Sequence, residues 1–227
     1  MKTELIAAVR SALACALFIA PLAAQGQVLV VDASNGPGTN FLDMPPAVAA
    51  ANPGDILVVR AGSYSSIFVD KGISILGEPG AVIGTASPLF LIAMSVQNLP
   101  ATQSFTCSGL DLGGASVFTR FRTEVVNCQG AVHLEGIEID SGMAAWGPND
   151  NNPALRITDS PLVHVTDSKV TGAPGILVTN AHLVVTDSDG RPRPRRGHVH
   201  IDLLDPGVHL HVTRVSAQQI TDLEVDA

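Results

Sequence analysis

Four segments of the chain repeat one another. Residues 105–112 (FTCSGLDL) align with 132–139 (VHLEGIEI), then with 163–170 (VHVTDSKV) and 183–190 (LVVTDSDG). Apolar residues hold the first and third positions, a small polar turn follows, and the apolar pattern resumes at positions six and eight. A second short segment precedes each of the last three repeats, at residues 125–128, 155–159 and 176–180. Alternation over so few residues makes short strands with one buried face. Such strands cannot bury that face alone, so each repeat must stack on its neighbours. A β-sandwich also uses short alternating strands, but the recurring turn composition and near-constant core length favour stacked coils. The expected class is therefore all-β, a short parallel β-helix (solenoid).

Aromatic residues make up only 4% of the chain, with one Trp and one Tyr. A core so poor in large rings must be built of thin aliphatic layers, which stacked coils supply. The repeats begin at residues 105, 132, 163 and 183, so their spacing varies. The excess residues fall at 115–122 (ASVFTRFR) and 141–152 (SGMAAWGPNDNN), and the arginine-rich run after Gly190 starts at the same point of the repeat. Insertions at one junction are expected to project along one edge, the usual binding face of such a stack.

Residues 1–24 read as a secretory signal. Lys2 and Arg10 are positive, residues 11–20 (SALACALFIA) are apolar, and small residues follow Pro21. The expected location is secreted, periplasmic or cell-surface. The apolar run is short for a bilayer and no later stretch is long enough, so no transmembrane segment is expected after signal removal. Residues 25–190 form the expected β-helix domain and 191–227 an Arg- and His-containing tail. Of 13 basic and 21 acidic residues, Lys2, Arg10 and Glu4 leave with the signal, so the mature charge is strongly negative. This argues against nucleic acid, whose binding needs phosphates neutralised. Cys107 and Cys128 remain; export permits a disulfide, while two small buried residues fit the pattern equally well.

The N-terminal part reads as a strand at residues 28–34, a short capping helix at 41–51 (FLDMPPAVAAA), a turn at 52–55 and a strand from 56. A cap of this kind shields the exposed end of a stack from edge pairing. The run 46–64 (PAVAAANPGDILVVRAGSY), followed by 71–77 (KGISILG), resembles the opening of pectin-lyase-like right-handed parallel β-helix proteins. The resemblance covers roughly residues 28–84 and continues more weakly to Gly190. It implies a right-handed β-helix with an N-terminal capping helix. That superfamily includes polysaccharide lyases, pectin esterases, adhesins and periplasmic copper-accessory proteins, so the resemblance implies a fold rather than one activity.

A lyase of this fold needs acidic ligands for calcium and an Arg or Lys base. Asp111 and Glu138 hold equivalent outward positions, Lys169 follows on the next repeat, and Glu135 and Asp140 are near in sequence. Arg120, Arg122 and Arg156 supply positive charge. Ordinary cross-strand pairing is the plainer reading of that ladder. The Gln- and Gly-containing motifs of the pectin esterases are not matched. Trp146, in a polar loop with Asp150, is either a platform for a sugar face or a cover for the coil flank. Arg120 and Arg122, interleaved with Phe118 and Phe121, suit carboxylates or sulfates.

Two further features concern histidine. His133 and His164 share a repeat position and are expected to stack on adjacent coils. His198, His200, His209 and His211 alternate on either side of Asp205-Pro206-Gly207, a strong turn signal. A C-terminal β-hairpin there would gather His200, His209 and His211 with Asp202 on one face, a set that suits copper or zinc.

The sequence thus predicts an exported, non-catalytic β-helix module that binds carbohydrate or serves as a surface scaffold. Its expected partner is a polysaccharide or cell-surface glycan, contacted at Arg120, Arg122, Trp146 and Asp150. No cofactor is established; Ca2+ enters with the alternative, a polysaccharide lyase acting on an acidic glycan. The second alternative is a periplasmic copper-accessory protein using His200, His209 and His211.

Overall fold

The computed structural model describes residues 26–84, 92–113, 122–140, 153–171, 176–186, 201–203 and 209–213. The signal-like residues 1–24 lie outside that set. The described chain is all-β apart from the helix Met44–Ala50, and its strands form three parallel sheets.

The eight-stranded sheet runs Val28–Val31, Ile56–Val59, Ser74–Gly77, Ser104–Ser108, Ala131–Glu135, Val163–Thr166, His182–Thr186 and His209–Thr213. The five-stranded sheet holds Gly62–Tyr64, Ala81–Ile83, Asp111–Gly113, Glu138–Asp140 and Lys169–Thr171. The six-stranded sheet holds Ile67–Val69, Ile92–Gln97, Arg122–Val126, Leu155–Thr158, Ile176–Thr179 and Ile201–Leu203. From Ile56 to Thr186 the chain visits the eight-, five- and six-stranded sheets in that order and then begins again.

The register follows the repeat. Phe105, Val132, Val163 and Leu183 are aligned across four strands, and Asp111, Glu138 and Lys169 across three. Inward residues form buried rows, because alternate residues of a strand point to one face. One row is Leu57, Ile75, Cys107, Leu134, Val165 and Val185; another is Tyr64, Ile83, Leu112, Ile139 and Val170. Burying each aliphatic side chain contributes about 1.5–3 kcal/mol, so the core is a set of thin layers, as the scarcity of rings requires.

The corners rest on residues that tolerate the left-handed backbone region. Asn98, Asn127, Asp159 and Asn180 follow successive strands of the six-stranded sheet with φ of 55°, 52°, 49° and 46°. Gly109, Gly136 and Asp167 do the same after the eight-stranded sheet. Most residues lose about 1–2 kcal/mol there, whereas Asn, Asp and Gly visit it readily. Gly109 has a second reason: a Cβ on it would lie 2.5 Å from the Gly77 carbonyl oxygen. Asn127 Nδ2 donates to Asn98 Oδ1 at 2.8 Å, and Asn180 Nδ2 to Asp159 Oδ1 at 2.7 Å. The residue after each Asn or Asp turns inward, so Leu99, Cys128, Ser160 and Ala181 are all buried. Ser160 Oγ stays satisfied there, donating to the Thr158 carbonyl and accepting from Cys128 N.

Cys107 and Cys128 are buried and unbonded. Burial alone pushes the Cys107 thiol up to about 12, the behaviour of an inert core residue.

The helix is shorter than the 41–51 expected, because Phe41 bridges Val31 and Asp43 is held extended as the N-cap. Asp43 Oδ1 accepts from Met44 N and also from Ser65 N, tying the cap to the first pass.

A C-terminal hairpin is not formed. Ile201–Leu203 pairs in parallel with Ile176–Thr179, and His209–Thr213 pairs in parallel with His182–Thr186, in a different sheet. Alternation is the same in both arrangements, so the apolar pattern alone does not choose between them, and the expected pairing was wrong. The sheets therefore extend past Gly190.

The corner argument predicts that Asn127→Ala destabilises by about 1–2 kcal/mol and Asn127→Gly by under about 1 kcal/mol, read by urea unfolding. Equal losses from the two variants would contradict a conformational role.

Candidate functional site on the outer face of the six-stranded sheet

Outward residues of a strand are ordinarily solvated, and Phe68 at one edge of this sheet is 57% exposed. Its row continues through Ser95, Glu124, Arg156 and Leu177. Two members break the expectation: Ser95 is 0% exposed and Glu124 7%. A carboxylate taken out of water needs a charged or hydrogen-bonded partner. Arg122, two residues earlier on the same face, provides one, with Nη2 2.6 Å from Glu124 Oε1. Gln97 Nε2 donates to Ser95 Oγ at 2.7 Å. Arg156 is the register partner of Glu124 on the next strand, and its Nε is buried without a hydrogen-bond partner among the described residues.

Two guanidiniums and one carboxylate thus share this stretch of the outer face of an acidic chain. Guanidinium groups bind carboxylates and sulfates through paired N–H donors. The arrangement is therefore suited to an anionic group on a ligand.

Arg122 was expected at the end of an inserted loop and instead opens a strand. Arg120, Trp146 and Asp150 lie outside the described residues. Their segments nevertheless begin and end at known strands. Residues 114–121 follow Asp111–Gly113 and precede Arg122–Val126; residues 141–152 follow Glu138–Asp140 and precede Leu155–Thr158. Both pass from the five- to the six-stranded sheet, and the arginine-rich run after Gly190, expected at the same junction, lies outside the described residues. Glu124 was missed because one Glu in an alternating strand reads as surface. The available signal was its spacing of two from Arg122.

The Asp111, Glu138 and Lys169 ladder is in register on the five-stranded sheet, with Lys169 Nζ bonded to Glu138 Oε1. Half-exposed pairs of this kind contribute little. Calcium takes six to eight oxygen ligands. Here Lys169 holds one Glu138 oxygen, and among the described residues no three His, Cys, Asp or Glu side chains are grouped to hold a metal ion.

His133 and His164 stack as their shared repeat position predicts, with ring centroids 4.9 Å apart and planes 20° from parallel. Burial, and then the neighbouring His133 and His182, hold His164 below its ordinary value of 6.5. His209 and His211 lie on the strand His209–Thr213, and His200 lies outside the described residues.

No family model, curated protein or solved structure matches the chain. Among the described residues no helix is long and apolar enough to cross a membrane.

Thr123 faces inward between Met94 and Leu155, with its hydroxyl buried and without a partner. Thr123→Val removes that desolvated group at nearly constant shape and should stabilise the protein by about 1 kcal/mol in chemical denaturation. For His164, the unfolded chain takes up its proton before the folded chain does. Stability should therefore fall as pH drops below about 6.5. His164→Ala should flatten that fall, and an unchanged pH profile would remove His164 as its source.

Proposed function

We propose that the chain is a right-handed parallel β-helix module of an exported protein, and that it binds an acidic carbohydrate without cleaving it. The repeated order of sheets, the all-parallel pairing and the stacked corners support the β-helix. The resemblance of residues 46–64 and 71–77 supports its handedness. The observation that carries the function is the Arg122–Glu124–Arg156 group on the outer face of the six-stranded sheet. A purely structural outer row has no need of a buried carboxylate clamped by one guanidinium beside a second. Uronate or sulfate groups are the matching ligand chemistry, since the chain as a whole carries a net charge of -8 and offers no general polyanion surface. Arg120, Trp146 and Asp150 join the reading by their sequence position at the same junction, with Trp146 as the platform for a sugar face.

The test is equilibrium binding of the purified chain to polygalacturonate and to a sulfated polysaccharide. Arg156→Ala should weaken binding by about tenfold, the scale of one charge-assisted contact, with the β-sheet circular dichroism unchanged. Absorbance of the unsaturated uronate product should stay flat with calcium and with chelator. Absence of binding by folded protein would refute the carbohydrate reading, and a calcium-dependent rise would refute its non-catalytic part.

A further inference from the structure

Of the described Phe and Tyr side chains, Tyr64 and Phe105 are buried and Phe41 is partly buried, whereas Phe68 stands out in solvent. It lies on Ile67–Val69, the edge strand of the six-stranded sheet, and heads the row that continues through Ser95, Glu124 and Arg156. Neighbouring strands lie about 4.8 Å apart, so Phe68 and Arg156 are separated by about 14 Å along that row. A lone apolar side chain on a surface needs no explanation. This one is a flat ring in register with a group suited to an anion. The C–H face of a sugar packs on such a ring, and a carboxylate or sulfate pairs with a guanidinium. The row therefore offers both contacts to one glycan laid across the strands.

The charge beside Phe68 is the reverse of that beside Arg156. Val69 is buried, so Phe68 and Asp70 on either side of it both face outward, and Asp70 is exposed. Residues two apart on a strand are about 6.6 Å apart, within a Debye length at physiological salt. Lys71 follows, but its Nζ donates to the Val48 and Ala51 carbonyls at the end of the helix Met44–Ala50. An acidic ring stacked on Phe68 would set like charge against Asp70. A neutral ring would not.

We propose that Phe68 and Asp70 form a subsite for a neutral sugar ring, so that the ligand is a glycan carrying both neutral and acidic rings. The inference rests on the carbohydrate reading of the Arg122–Glu124–Arg156 group and extends it to the edge strand.

Equilibrium binding to two polymers tests it. In hyaluronate a uronate alternates with a neutral N-acetylated sugar; in polygalacturonate every ring carries a carboxylate. Phe68→Ala should weaken hyaluronate binding about fivefold, while Phe68→Tyr keeps it within about twofold. Asp70→Asn should tighten polygalacturonate binding about threefold and leave hyaluronate within about twofold, and that gain should fade in high salt. If Arg156→Ala weakens binding and Phe68→Ala does not, the subsite is refuted and the carbohydrate reading stands. Asp70→Asn without effect on polygalacturonate, or with an equal gain for both polymers, would refute the preference for a neutral ring. Binding of neither polymer by folded protein would refute the subsite and the carbohydrate reading together.

Discussion

Each strand of this protein takes its backbone hydrogen bonds from the strand one pass earlier and one pass later, and that ladder constrains everything else. Val132 and Val163 are 31 residues apart and Val163 and Leu183 only 20, yet both pairs sit in register. Most of the length difference is absorbed between the five- and six-stranded sheets, while Phe105–Leu112, Val132–Ile139 and Val163–Val170 keep one spacing across the corner after the eight-stranded sheet. That corner and the one after the six-stranded sheet each use a residue that accepts positive φ, followed by a small or aliphatic buried residue. A β-branched residue at Asn127 would break the ladder on both sides of it.

The ladder also separates the chemistry of the faces. Inward positions are repeated pass after pass, so they hold largely aliphatic rows, into which Thr123 sets a buried hydroxyl with no partner among the described residues. Outward positions are free to vary, and they differ by sheet. The six-stranded sheet buries Glu124 paired with Arg122 and in register with Arg156, the five-stranded sheet carries a half-exposed Glu138–Lys169 pair, and the eight-stranded sheet collects histidine. At the N-terminal end the fold closes with polar clamps. Buried Asp32 accepts from Ser34 N and Gly36 N and pairs with Arg60, and its carboxyl is held below the usual range chiefly by Arg60.

Much of the frame was legible in the sequence. The aligned segments at 105, 132, 163 and 183 pair in the register that their apolar positions dictate, because a slip of one residue would turn each buried row outward. The stacking of His133 on His164 followed from the same register. The C-terminal pairing was not legible, since alternation along residues 199–212 is identical in a hairpin and in two strands of different sheets. The candidate site was half legible. Arg122 and Arg156 stand out as rare cations, whereas the burial of Glu124 depends on neighbours in space that no local pattern encodes. The register of His182 with His209 is illegible for the same reason: the two are 27 positions apart and are aligned only by the parallel ladder.

The central claim is that successive passes stack in register, one strand spacing at a time. Spin labels at Ser63 and Lys169 test it most directly. These outward positions of the five-stranded sheet are linked through Val82, Asp111 and Glu138 by four strand steps. At about 4.8 Å per step the account predicts a single narrow distance near 19 Å between the backbones, before the label arms are added. A broad distribution, or a separation well beyond about 30 Å after that correction, would contradict the stack.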